Sequence, residues 1–437
     1  MPHLIPCHIR KAAALFRKTL GAETLDRGAR ECRFVQRHRV ITAESVFWAF
    51  MTTLGGQPTQ YISDVLRTLN DRQGWAIRYK PFWNRLAKPA FRDWMKGLFH
   101  RLSRELAVKV LERVPGSAAD FFSEILADDG SSFAVANGLK RVFPGRFTRF
   151  TPAAVELHAR MSLTSDNVQS VVVAPDKESE RQFLLPARSL PARSLSLRDR
   201  GYIDLEYFAQ LEGTEAYLIC RAPYEMKPTI VKVLAGLPAR LAKKWIGKRL
   251  DELRRSKLRQ DLDLLVSWLR NGRKITLRMC IRYVPEKKSW TWLLTNLPFE
   301  RFNADTVGQL YRLRWQIELV FKDWKSYSNL RALQTEHPSI AEGFIWASLC
   351  AAFLKRALGH WTQLAIADRR EISTRLCAMI GPRIMPRLAA WAANGFTCAV
   401  LRDIFAFLAD NAPRAHPARD NRRPRHLVGL RNAPLKD

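Results

Sequence analysis

Tyr311-Arg312-Leu313-Arg314-Trp315-Gln316-Ile317-Glu318, running on to Lys325, is the stretch on which the reading of this chain turns. If it forms one helix, at about 100° per residue, Tyr311, Arg314, Glu318 and Lys325 share a narrow arc on one side. Leu310, Leu313, Ile317, Val320, Phe321 and Trp324 then make the adjoining apolar face. A buried helix of this kind presents one carboxylate flanked by two cations and a phenol. The carboxylate suits a divalent metal; the cations and the phenol suit phosphate oxygens. The plainer reading is a solvated charged face beside a core face, because helices mix charge in this way routinely. Spacing alone leaves both open.

The rest of the composition bears on that choice. The chain has 437 residues, enough for about two to four domains, and its 47% hydrophobic content fills ordinary globular cores. Lys and Arg number 72 against 41 Asp and Glu, a net charge of +31 spread along the whole chain. Such an excess is the electrostatic footprint of a polyanion partner, and nucleic acid fits it best. An anionic membrane surface fits less well, because no strong basic amphipathic anchor is present. The N-terminal Met1-Pro2-His3-Leu4-Ile5-Pro6-Cys7 does not read as a secretory signal. The longest apolar region, Gly343 to Leu354, is too short to span a bilayer. The seven cysteines are scattered and no C-x-x-C pair occurs, so neither a zinc site nor a disulfide framework is expected. A reduced cytoplasmic compartment, with association to the nucleoid, follows as the expectation.

Periodicity divides the chain. Residues 1–115 read as helical, with a break at Gly55-Gly56 that suits a helix-turn-helix-like DNA reader or a plain helical bundle. Strand character begins at Phe122–Asp128 and recurs at Ala153–Met161, Gln169–Ala174, Leu195–Arg198 and Ala216–Cys220, with a helix over Ile203–Leu211. Strands interleaved with helices imply an α/β or α+β core. A direct repeat of Leu-Pro-Ala-Arg-Ser, at Leu185 and again at Leu190, reads as a tolerated loop duplication. Residues 224–297 form a basic segment carrying Lys243, Lys244, Lys248, Arg249, Arg254, Arg255, Lys257 and Arg259. It closes in two antiparallel strands, Ile275–Tyr283 and Trp290–Thr295. Beyond Lys325 the chain is helical again, and residues 411–437, rich in Pro and Arg, are expected to be disordered.

Two further acids stand at strand ends. Asp129 lies in Leu126-Ala127-Asp128-Asp129-Gly130-Ser131-Ser132, and Asp199 precedes Arg200-Gly201-Tyr202. Carboxylates at strand ends meeting one from a helix can hold two Mg²⁺ ions, which activate an attacking oxygen and stabilise the leaving oxygen of a phosphodiester. Each acid taken singly is more often an ordinary turn or surface residue.

The set resembles the cut-and-paste transposases of the bacterial "insertion sequence four" family. Tyr311, Arg314, Glu318 and Lys325 fit that family's Tyr-x2-Arg-x3-Glu-x6-Lys signature. Asp199-Arg200-Gly201-Tyr202 and Asp129-Gly130-Ser131 resemble its other two catalytic motifs. Phe143-Pro144-Gly145, Glu156-Leu157-His158 and Leu294-Thr295-Asn296-Leu297-Pro298 also look like the family, so the resemblance covers residues 122–355.

The resemblance implies an α/β fold. Its RNase H-like core spans 120–223 and 298–355 and is interrupted by a β-rich insertion domain at 224–297. An N-terminal helical DNA-binding region covers 1–115, and a helical C-terminal region covers 356–410. The first core strand is expected to carry Asp129, the fourth to end at Asp199, and a helix after the fifth to carry Glu318. These three are the expected catalytic and metal-binding residues, for two Mg²⁺ ions with Mn²⁺ as a substitute. Asp128 is a rival for Asp129 because the strand can present either; the family pattern favours Asp129. Tyr311, Arg314 and Lys325 are expected to hold DNA phosphates. Trp292 or Trp290 is the candidate platform for a flipped base, with core packing as the alternative, and Trp315 is expected to pack beside the site. The implied activity is a DNA transposase, a homodimer on paired ends, which binds terminal inverted repeats, cleaves them and joins 3′-OH ends to target DNA. A catalytically silent DNA-binding descendant, or a nuclease of the same fold, are the alternatives.

Overall fold

The computed structural model describes residues 4–433, except 38–39, 57–58, 60, 148, 185, 256–259, 285–288, 331–333, 368–369 and 415–422. Leu185 of the duplicated loop, and Lys257 and Arg259 of the basic segment, therefore lie outside the described residues.

Among the described residues six helices come first: α1 (Pro6–Leu20), α2 (Ala22–Glu31), α3 (Ala43–Leu54), α4 (Ile62–Gln73), α5 (Tyr79–Leu86) and α6 (Pro89–Glu105). Thr42 and Ser45 start α3 with a reciprocal capping box, and Gly74, with φ 64°, ends α4 in the left-handed conformation that glycine adopts without strain. Most of α3 is buried, including the unbroken run Val46 to Met51, which leaves that helix no free face for a DNA groove.

The strands described next are β1 (Leu111–Arg113), β2 (Glu124–Ala134), β3 (Ala154–Ser162), β4 (Asn167–Pro175), β5 (Ser194–Arg198), β6 (Tyr217–Arg221), β7 (Thr229–Ala235), β8 (Leu262–Arg270), β9 (Arg273–Val284) and β10 (Ser289–Thr295). Among them lie α7 (Leu205–Gln210), α8 (Ala239–Trp245) and α9 (Leu250–Arg255). Nine of the strands form one sheet in the order β4-β3-β2-β5-β6-β10-β9-β8-β7. The pairs β2–β5 and β5–β6 are parallel, and every other neighbouring pair is antiparallel. Every residue of β3 and of β5 is buried, as strands covered on both faces must be. The expected basic insertion thus contributes no sheet of its own: β10 pairs with β6 and extends the first five strands directly. The antiparallel pair read from Ile275–Tyr283 and Trp290–Thr295 is β9 with β10, in which Tyr283 faces Trp290.

After the sheet come α10 (Ala304–Arg312), α11 (Trp315–Tyr327), α12 (Pro338–Ala365), α13 (Thr374–Met379), α14 (Gly381–Ala393), α15 (Cys398–Asn411) and α16 (Pro424–Leu427). The 28-residue α12 is buried along most of its length and runs straight through the boundary expected at residue 355. It packs on α3, α6, α13 and α15, so helices from both ends of the chain enclose one core. No helix among the described residues is long and apolar enough to cross a membrane. The tail expected to be disordered is in part ordered: Leu430–Asn432 forms β11, antiparallel to β1, and Glu371 holds Arg414 and Arg425. A β ladder and ion pairs offset the low apolar content that prompted the expectation.

Candidate active site

Asp128 and Asp129 sit side by side near the middle of β2, and the pleat sends them to opposite faces. Asp128 is saturated. Its Oδ1 accepts from Arg160 Nε at 2.6 Å, and its Oδ2 accepts from Arg160 Nη2 at 2.9 Å, Ser196 Oγ at 2.9 Å and Arg198 Nε at 3.0 Å. Burial alone would raise its pKa, but the guanidiniums of Arg160 and then Arg198 hold it down at about 2. This carboxylate ties β2 to β3 and β5.

Asp129 faces the other way, into a cavity of about 560 Å³ that Gly130, Ser131, Asp199, Arg314, Glu318, Lys322 and Lys325 also line. Burial pushes its carboxyl up to about 7, against the pull of Arg314 and the Gly130 N–H and with the push of Asp199 and Glu318. Asp199 follows the last residue of β5, whose partner in the parallel ladder is β2 at Asp128↔Arg198. The two acids therefore lie side by side where the β5 ladder ends, although Asp129, expected at a strand end, sits mid-strand because β2 runs on to Ala134 beside β3.

The third acid comes from the opening stretch, which is two helices rather than one. α10 ends at Arg312 and α11 begins at Trp315. Across the junction the amides of Leu313, Arg314, Gln316 and Ile317 donate to carbonyls three residues back, a tightened 3₁₀ turn. Both conformations return residues three or four apart to one side, so Tyr311, Arg314 and Glu318 still converge. Tyr311 Oη donates to Asp199 Oδ1 at 3.2 Å. Arg314 Nη1 donates to Asp129 Oδ2 at 2.6 Å, while its Nη2 donates to Glu318 Oε1. Arg314 Nε is buried without a partner. Lys325 Nζ donates to the Ser132 carbonyl at 2.7 Å, which fixes α11 along the far part of β2.

A second pair of acids, the buried Glu156 and the half-buried Glu180, packs on the glycines of the two aspartate motifs. A Cβ on Gly130 would run into the Glu156 carboxylate, and one on Gly201 would run into that of Glu180. Burial raises Glu156 to about 7, with Glu180 adding to the rise. His158, lowered to about 4 first by burial and then by Arg146, shares a hydrogen bond with Tyr202 Oη at 3.1 Å. Tyr202 belongs to the turn after Asp199, so β3 braces that turn. Sequence reading singled out Glu156-Leu157-His158 without assigning it this position. It also passed over Lys322, whose i+4 spacing from Glu318 was the available signal.

Of the two tryptophans expected as base-stacking candidates, Trp292 is buried and Trp290 is half-buried. Trp292 is 2% exposed, in the apolar cluster between the sheet and α7 and edge-on to Tyr224. Trp290 packs against Tyr283, and its carbonyl accepts from Tyr224 Oη. Trp292 is a core residue because β10 is an interior strand. Trp315, expected beside the site, is instead 56% exposed at the start of α11.

No three Asp, Glu, His or Cys side chains among the described residues stand close enough together to hold a metal. The donor set of Asp129, Asp199 and Glu318 nevertheless fits hard oxygen-seeking cations such as Mg²⁺. Arg314 occupies the space between two of these carboxylates, its unpartnered Nε marking a side chain with bonds still to make.

Residues 125–354 match the family described as transposase DDE domain, and all three acids fall inside the match. The chain belongs to that family. The transposase of insertion sequence element IS231C from Bacillus thuringiensis subsp. berliner is 22% identical over 438 residues, covering 91% of this chain and 90% of that protein. The transposase of IS231E from Bacillus thuringiensis subsp. finitimus is 24% identical over 292 residues, which span 61% of its length and 59% of this chain. The putative transposase InsL of IS186A from Escherichia coli is 52% identical, but over only 62 residues, 14% of this chain and 17% of that one. Among solved structures, a piggyBac transposase synaptic complex with hairpin DNA superposes with TM-score 0.45 and 11% identity, over 95% of this chain and 89% of that one.

Proposed function

We propose that this family member is an active DNA transposase of the Tyr-Arg-Glu-Lys type, with Asp129, Asp199 and Glu318 as its catalytic acids. The observation that carries the reading is the convergence of these three carboxylates on one cavity, with Tyr311 and Arg314 hydrogen-bonded to them. The order of the first five sheet strands supports an RNase H-like core. β2 carries Asp129, β5, the fourth of them in the chain, leads into Asp199, and α11, after the fifth, carries Glu318.

The substrate is duplex DNA, first the inverted ends of the protein's own element and then the target, held by two copies of the chain. The reaction is phosphoryl transfer in two like steps. A water oxygen displaces the 3′ oxygen at each end, releasing a 3′-OH, and that hydroxyl then displaces a 3′ oxygen of the target. Asp129, Asp199 and Glu318 would hold two Mg²⁺ ions, which would neutralise charge on the phosphate oxygens and favour the deprotonated nucleophile. Arg314 exchanges its carboxylate partners for phosphate oxygens, for which its planar fork is equally suited. Tyr311 keeps Asp199 oriented through its hydroxyl, and Lys325 and Lys322 face the strand leaving the site.

The test is cleavage of linear DNA carrying the sequences that flank the gene, in Mg²⁺. Glu318→Gln is expected to bind this DNA within about threefold of wild type, yet to lose cleavage by at least about a hundredfold. Undiminished cleavage by this variant rejects the assignment.

A further inference from the structure

Three acids line one cavity, yet no three carboxylate, imidazole or thiol groups among the described residues stand close enough to share an ion. Oxygens bound to one Mg²⁺ lie no more than about 4 Å apart, because each sits about 2.1 Å from it. Arg314 keeps two of these acids apart. Its Nη1 donates to Asp129 Oδ2 at 2.6 Å and its Nη2 donates to Glu318 Oε1, so the guanidinium fork and two hydrogen bonds lie between the carboxylates. The third acid, Asp199, accepts separately from Tyr311 Oη at 3.2 Å.

This contact does not release itself. The side chains of Arg314 and Asp129 are only 11% and 14% exposed, so water screens the pair weakly. A guanidinium in a protein is not deprotonated, so the positive charge leaves the site only if the side chain moves. A divalent ion does not enter beside it, because like charges a few ångströms apart repel strongly where water is scarce. To move, the fork needs other acceptors, and its Nε is already buried without one. The other cations lining the cavity, Lys322 and Lys325, donate but do not accept. A phosphate group from outside supplies the oxygens, in the planar arrangement that a guanidinium matches. Arg314 also stands in the 3₁₀ turn between α10 and α11, where the backbone can adjust without breaking either helix.

We propose that Arg314 is a latch that makes metal binding conditional on DNA. In the free protein its guanidinium fills the space between Asp129 and Glu318; a DNA phosphate draws it out, and the two carboxylates can then close with Asp199 around the ions. The inference rests on the reading above for the identity of the acids and goes beyond it by fixing an order, DNA before metal. The coupling is reciprocal, so metal strengthens DNA binding by the factor by which DNA strengthens metal binding. A copy without DNA is thereby kept from assembling a hydrolytic centre.

The test reads Mn²⁺ binding by the full chain, from the electron paramagnetic resonance signal of the free ion. It is run alone and with saturating duplex that carries the sequences flanking the gene, after subtraction of the ions held by the duplex itself. Arg314→Gln without DNA is expected to bind Mn²⁺ about tenfold more tightly than wild type without DNA. DNA is then expected to raise the affinity of this variant by a factor about tenfold smaller than the factor for wild type. Arg314→Lys keeps one cation but does not span both acids, and it is expected to fall between the two; it decides the matter if Arg314→Gln does not fold. Lys322→Gln removes an exposed cation from the same cavity and is expected to stay within about twofold of wild type. Equal enhancement by DNA in wild type and variant, which a phosphate acting only as a metal ligand would give, overturns the proposal. So does a gain by Lys322→Gln as large as that of Arg314→Gln, which makes the effect one of general charge. Because no cleavage is read, a Glu318→Gln variant that loses cleavage while Arg314 shows no coupling would keep the catalytic reading and reject the latch; Mn²⁺ bound by none of the forms would reject both.

Discussion

Two adjacent aspartates divide the work of β2 between structure and site. Asp128 neutralises two arginines inside the sheet, Arg160 and Arg198, the second with no exposed surface. Removing one partner of a buried ion network leaves the others uncompensated. Asp128→Ala should therefore cost about 3–5 kcal/mol of stability in urea unfolding, whereas Glu318→Gln should stay within about 1 kcal/mol of wild type. If Asp128→Ala folds normally and loses only cleavage, the assignment of the two acids is reversed. The sequence supplied the pair and its strand. It could not say which acid Arg160 would claim, because that arginine lies 32 residues away and reaches the site only through the β2–β3 ladder.

At the scale of elements, the candidate site is a matter of how α10 and α11 meet. Helical periodicity grouped Tyr311, Arg314 and Glu318 correctly on one side, and the 3₁₀ junction keeps them there. The junction itself is set by packing, because no Gly or Pro marks it. The end of α11 is fixed by Lys355 of α12, which is fully buried and donates through Nζ to the Tyr327 carbonyl. Burial lowers this ammonium to about 8, with Asp323 working the other way. The folded pKa thus lies below the ordinary lysine value of about 10.4, so between the two the unfolded chain binds the proton that the folded one gives up. Stability contributed by Lys355 therefore rises with pH across that window. Urea titrations should show wild type gaining on the order of 2 kcal/mol relative to Lys355→Met between pH 7 and pH 10. A constant difference would contradict a buried, titrating lysine. Among the strands, alternating or continuous apolar runs revealed the start of β2, β3 to β6, β9 and β10. The basic residues around β7 and β8 masked those two, although Leu262-Asp263-Leu264-Leu265-Val266 carries strand character.

Taken as a whole, the molecule joins what periodicity along the sequence divides. The N-terminal helices share a core with α12 and the helices after it, and the basic insertion prolongs the central sheet. The C-terminal segment closes back on residues 111–113 through β11, while Arg425 reaches Glu371 near the start of α13. A chain cut before Pro424 loses both ties, and its melting temperature should fall by about 2–4 °C. An unchanged melting curve would mean that the closure adds nothing to stability.

The sequence by itself determined the set of candidate site residues, the local periods that place them on strands and helices, and a charge of +31 that favours a polyanion. These properties are local or additive, so they survive without a fold. Only the tertiary structure decided that Asp129 rather than Asp128 faces the cavity, that Arg314 lies between two acids, and that Trp292 is buried while Trp315 is not. Each of these depends on which distant segment packs alongside. Arg314 and Asp129 are separated by 185 residues and meet only because α11 lies against β2, a contact that no local pattern encodes.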